Sequence, residues 1–142
     1  MRFEMLSHER RTRATTIALA IQLGWVSIWT LMGTRALLGE ADVRFLGQDL
    51  NAIAATTPLW YIASQYGLAA CILATLVLHR RALNIALSLN ILTVTIFLVR
   101  LVFIPGTATD DIPLWFHIIP IALGCGIIMV MVQRLTEREP LN

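Results

Sequence analysis

Hydrophobic and polar positions follow one another in long blocks along this chain. Four runs, 17–38, 58–78, 82–104 and 113–133, are almost free of charge, and the charged residues collect between them. Each run is about 20 residues long, which at about 1.5 Å per residue covers a hydrocarbon core of roughly 30 Å. The pattern predicts an all-α integral membrane protein, a four-helix bundle that occupies residues 1–142 as a single transmembrane domain. Composition points the same way: 57% of residues are hydrophobic, 14% are charged, and mean hydropathy is +0.72. A soluble domain of this size would place its apolar residues on one face of mixed helices.

The connections add detail. Residues 1–15 are polar and arginine-rich. They fit either a short helix on the membrane surface, with Phe3, Met5 and Leu6 toward lipid, or a disordered basic tail. Between the first two runs, Val43, Leu46, Leu50 and Ile53 recur at helical spacing with Asp42, Arg44, Asp49 and Asn51 off the stripe, which predicts a short amphipathic periplasmic helix. His79-Arg80-Arg81 is tight enough to make helices two and three an antiparallel hairpin. Pro105-Gly106 and Asp110-Asp111 mark the last loop, and Pro113 suits a first helical turn.

Charge then orients the bundle. Arg2, Arg10, Arg11, Arg13, Arg80, Arg81, Arg134 and Arg138 fall on one side of four alternating spans, against Arg35 and Arg44 on the other. The positive-inside rule puts both termini in the cytoplasm. A net charge of +2 is too small to suggest a nucleic-acid partner. The first run is longer than a signal-peptide core and lacks a cleavage pattern, so it is expected to remain as a span. Cys71 and Cys125 lie deep in the second and fourth runs without ligand spacing, so neither a metal nor a disulfide is expected.

The polar residues inside the runs are the candidates for function. Ala86, Asn90, Thr93, Phe97 and Arg100 share one face of helix three, and that face must meet protein or a cavity. Arg100 is close enough to the outer end to snorkel, to pair with Asp110, Asp111 or His117, or to hold a lipid phosphate, a quinone carbonyl or a carboxylate. Helix two places Ser64, Gly67, Cys71, Ala74 and Thr75 on a small-residue packing seam, with Gln65 and Tyr66 beside it. Helix one aligns Ala18, Gln22, Trp25, Trp29 and Gly33; the two tryptophans suit packing, another protein or a planar ligand. In helix four Pro120 frees a carbonyl near Phe116, and Gly124-Cys125-Gly126 weakens the helix further, so a kink is expected. His117 lies near the depth of Arg100, where it could bond that group, face headgroups or ligate a pigment. No carboxylate lies within any run, which leaves neither a hydrolytic set nor the usual intramembrane proton relay.

The opening helix ending in Gly33 and Leu37-Leu38, the Tyr66-Gly67 pair, the Arg80-Arg81 turn and Arg100 late in helix three give the chain a layout that resembles the small four-helix membrane proteins of the DoxX-like group. That resemblance implies a bundle in a bacterial inner membrane. It carries over no functional residue. The sequence fits a non-catalytic accessory subunit of a larger membrane complex, respiratory or photosynthetic, that contacts lipids and other membrane subunits through Trp25, Trp29, Ser64, Gly67 and Cys71. A second reading is a quinone- or lipid-binding redox protein using Arg100, His117, Tyr66 and Gln65, with lipid, quinone or pigment as the bound group. A small transporter is third.

Overall fold

A computed structural model describes residues 2–40, 42–45, 48–49, 51–52, 55, 59–103 and 114–137, with the backbone alone for 2–8, 45, 48, 59 and 114–116. Four long helices carry the fold: α1 (Arg2–Leu37), α2 (Leu59–Leu78), α3 (Leu83–Val102) and α4 (Leu114–Thr136). Between α1 and α2 a short antiparallel ladder pairs β1 (Arg44–Phe45) with β2 (Gln48–Asp49). All four helices are long and apolar enough to cross a membrane.

Neighbours in sequence are neighbours in space. Helix α1 packs on α2, α2 on α3 and α3 on α4, and α4 closes back on α1 through the sparsest of the four contacts. The α2–α3 connection is one tight turn, in which Arg81 and Ala82 both donate to the Leu78 carbonyl. Leu19, Leu68, Ile72, Ala86, Ile127 and Met131 form the apolar centre. Outside, Ile17, Ile21, Leu73, Val77, Ile85 and Met129 are exposed. At most 28% of the most apolar window of any span is buried, so most of the apolar surface faces outward. That distribution suits hydrocarbon surroundings, where apolar exposure carries no penalty.

Two expectations about the connections change. Residues 2–15 continue α1 without a break, so the N-terminal segment neither lies as a separate surface helix nor loses helical structure. The helix expected from Val43 onward does not form at 44–45 and 48–49, which pair instead as β1 and β2. Gly39 (φ 80°) and Asp42 (φ 57°) turn the backbone there. The Asn51 side chain then accepts from the Val43 N–H and donates to the Glu40 carbonyl, holding the turn in place of helical hydrogen bonds. Helical conformation starts at Asn51 and Ala52, whose N–H groups both donate to the Asp49 carboxylate in the manner of an N-cap. Positions 46, 50 and 53 of the expected stripe lie outside the described residues, as do Pro105, Gly106, Asp110, Asp111 and Pro113.

Hydroxyl groups inside the helices are satisfied locally. Thr15, Thr30, Thr34, Thr75, Thr93 and Thr95 each donate to the carbonyl four residues back. A threonine can therefore sit in an apolar span without an unmet donor.

Candidate functional site: polar layers inside the bundle

Buried polar residues gather at three levels along the bundle, and apolar layers separate them. At the end nearest the hairpin stands Arg100, only 9% exposed. One terminal nitrogen donates to the Tyr61 carbonyl at 3.0 Å and to the Ser64 hydroxyl at 2.6 Å, and the guanidinium carbon lies 3.8 Å over the Tyr61 ring. Stacking on an aromatic face and bonds to two neutral oxygens both suit a guanidinium. Among the described residues Arg100 forms no ion pair. The carboxylates proposed from sequence, Asp110 and Asp111, lie outside those residues; the described contacts go instead to α2. His117 stands within electrostatic reach of Arg100.

Gln65 and Tyr66 do not converge on Arg100. The Tyr66 hydroxyl, on a half-exposed ring, pairs with Thr34 of α1 at 2.5 Å. Successive helical residues point about 100° apart, so Ser64 toward α3 and Tyr66 toward α1 follow directly from their positions. Gln65 is half-buried, and its side-chain oxygen has no hydrogen-bond partner among the described residues.

Midway along, two fully buried amides clasp α4. Gln22 of α1 donates to the Pro120 carbonyl at 3.0 Å, and Asn90 of α3 donates to the Gly124 carbonyl at 2.9 Å. Both acceptors are carbonyls, so each amide must present its nitrogen to α4 and its oxygen elsewhere. Among the described residues those oxygens, Gln22 Oε1 and Asn90 Oδ1, have no hydrogen-bond partner. Gly124 has no room for a side chain: a Cβ built there would collide with Val94 Cγ2 and lie 3.4 Å from Gln22 Nε2. Helix α4 runs unbroken through Pro120, and the bond from α1 goes to the carbonyl of Pro120 itself.

The third level closes the opposite end. His79, 1% exposed, has Nδ1 2.7 Å from the Leu76 carbonyl and Nε2 3.0 Å from the Thr16 hydroxyl of α1. The carbonyl can only accept, which places a ring proton on Nδ1; the single Thr16 hydroxyl proton is then shared out between Nε2 and the Thr12 carbonyl, 2.9 Å away. Burial pushes the His79 pKa below its ordinary value; the Leu76 bond opposes this, and the Arg134 and Arg80 charges reinforce it. Arg134, assigned to a cytoplasmic tail by sequence, is instead buried in the last turn of α4. Arg11 bridges to Glu137, tying the start of α1 to the end of α4. These contacts bring the N-terminal arginines, the Arg80-Arg81 turn and the end of α4 to one end of the bundle.

The remaining candidates have ordinary places. Trp29 packs with Met32 against Ala36 and Val43, beneath the hairpin connection, and Trp25 is half-buried. Gly67 is exposed with open space around it, while Cys71 is half-buried. The inward face of α2 runs through Leu68, Ile72, Thr75 and His79, one position on from the small-residue seam. Sequence reasoning missed His79 and Arg134. Both continue a buried face by one turn past its apolar part, Thr75 to His79 and Met131 to Arg134, and that continuation was the available signal. No three histidine, cysteine or acidic side chains stand together among the described residues. No family model, curated protein or solved structure matches the chain.

Proposed function

We propose that this chain is a multi-pass protein of a bacterial inner membrane, with both termini in the cytoplasm, that serves as a non-catalytic subunit of a larger membrane assembly. The orientation rests on the eight-to-two arginine asymmetry; the bundle supports it by gathering α1, the Arg80-Arg81 turn and α4 at one end. The layout shared with DoxX-like proteins fits the same compartment.

One observation carries the subunit reading. The outward face of α1 presents Ile17, Ile21, Gly24, Ile28 and Leu31, spaced four, three, four and three apart, and a Cβ at Gly24 would meet nothing within 4 Å. That is the spacing of a helix seam, with a small residue at its centre where a second backbone can approach. Trp25 borders this face. Most of the described polar groups inside the bundle meet one another, as in Gln22 with Pro120 and Asn90 with Gly124, so recognition falls to the outer surface.

Extraction in mild detergent followed by native mass measurement tests the reading. The expected result is this chain in a complex with other polypeptides, reduced in yield by Gly24→Ile, which fills the seam without touching the bundle. A wild-type chain that runs only as a monomer or homo-oligomer refutes it. Arg100 supports a second reading, binding of a lipid phosphate or quinone carbonyl, because it is a buried cation whose described partners are all neutral. Retention of quinone by wild type and its loss in Arg100→Gln would favour that alternative.

A further inference from the structure

The α1–α4 seam differs from the other three. It is the least closely packed, and it leaves an apolar groove of about 530 Å³. Ala14 and Ala18 form one wall, Ala122, Gly126 and Val130 the other, with Ile127 at the base. Along α4 the lining runs from Ile119 to Val130, about 16 Å at helical rise. Small residues make the space: a Cβ added at Gly126 would meet nothing within 4 Å.

Both walls belong to segments long and apolar enough to cross a membrane. A lateral opening there meets hydrocarbon. Charge then selects among lipids. Arg10 lies one turn from Ala14 on the same face of α1, and helical side chains lean toward the N-terminus, so Arg10 stands just beyond the groove, at the end of the candidate span that begins at Glu9. Arg10 is exposed, whereas Arg11 is bridged to Glu137 and Arg13 to Glu9. The groove therefore ends at an available cation on the same side as the arginine-rich turn.

We infer that the α1–α4 groove seats one acyl chain of an anionic phospholipid whose phosphate is held at Arg10. This rests on the membrane reading but not on the subunit reading, because it concerns the isolated chain. The purified protein, delipidated and then mixed with equal amounts of phosphatidylglycerol and phosphatidylcholine, is examined by native mass spectrometry. Wild type is expected to retain one phosphatidylglycerol per chain in preference to phosphatidylcholine. Gly126→Leu, which projects a side chain into open space, is expected to lower that retention at least tenfold while leaving the helical melting curve unchanged; Ala122→Leu serves as a second blocking variant. Arg10→Gln is expected to keep the acyl site and lose about fivefold of the preference for the anionic lipid, the effect of one basic residue at a lipid surface. Equal retention of the two lipids by wild type, full retention in both blocking variants, or a homodimer that excludes lipid from the seam would each overturn the assignment.

Discussion

Gly124→Ala puts the tight fit of Gly124 against Val94 to the test. The added methyl collides with Val94 Cγ2, and Val94 is a β-branched residue with one favoured rotamer in a helix, so it cannot swing aside. Overpacking of this kind costs about 1–3 kcal/mol. Alanine returns up to about 1 kcal/mol of helix propensity relative to glycine. Against that, the methyl also lies 3.4 Å from Gln22 Nε2 and 3.8 Å from Val94 Cβ. Separating α4 from its neighbours would stretch the bonds from Gln22 and Asn90, each worth about 0.6 kcal/mol in a membrane bundle. The expected net loss is about 1–3 kcal/mol. Reversible unfolding in mixed micelles, followed by tryptophan fluorescence, reads it directly. Val94→Ala removes the colliding methyl, so the double variant should recover at least about 1 kcal/mol relative to additivity. Gly67→Ala is the control, since nothing lies within 4 Å of its Cβ position. The close-packing argument fails if Gly124→Ala and Gly67→Ala unfold alike.

Three further predictions address the ends of the bundle. Arg100→Met should change stability by less than about 1 kcal/mol, because the Ser64 hydroxyl already donates to the Tyr61 carbonyl at 2.7 Å and no buried partner is orphaned; a loss above about 3 kcal/mol in the same unfolding assay would contradict this. Burial lowers the His79 pKa, so its folded value lies below the unfolded one. Stability should be flat above about pH 6.5 and fall as the pH drops from there through the folded pKa; urea midpoints at a series of pH values should show the slope in wild type and lose it in His79→Gln. Removing the exposed Arg11–Glu137 bridge with Glu137→Gln should cost no more than about 1 kcal/mol, and a larger shift in thermal midpoint than Gly124→Ala would mean the bridge matters more than its exposure allows.

The four helices were legible because lipid-length apolar runs are long, and their limits carry chemistry of their own: a Gly-bearing loop, an Arg-Arg turn, a proline. The inward face of α3 was legible too, since Asn90, Thr93 and Arg100 cannot face hydrocarbon, and all three are buried. The hairpin was not, because it depends on Asn51 reaching back to Val43 and Glu40, contacts that no periodicity encodes. Nor were the partners of Arg100. Charge alone suggested Asp110, Asp111 or His117, whereas the described bonds are to a backbone carbonyl and a hydroxyl on another helix. Which face of α2 turns inward also lay beyond the sequence: small residues permit close approach but do not require it, and Leu68 and Ile72 took the central positions.

Helix α1 has no joint. Its 36 residues extend about 54 Å. Fitting that length within a hydrocarbon layer of roughly 30 Å by tilting alone would need an angle near 56°, beyond the roughly 0–40° that spans adopt. In a bilayer of that thickness, part of the helix would stand clear of the lipid. One end of that rod carries the arginines, and the other bears Trp29 and Ala36 against the hairpin connection. In a membrane, such a helix would join the arginine-bearing end of the bundle to the hairpin connection as a single element.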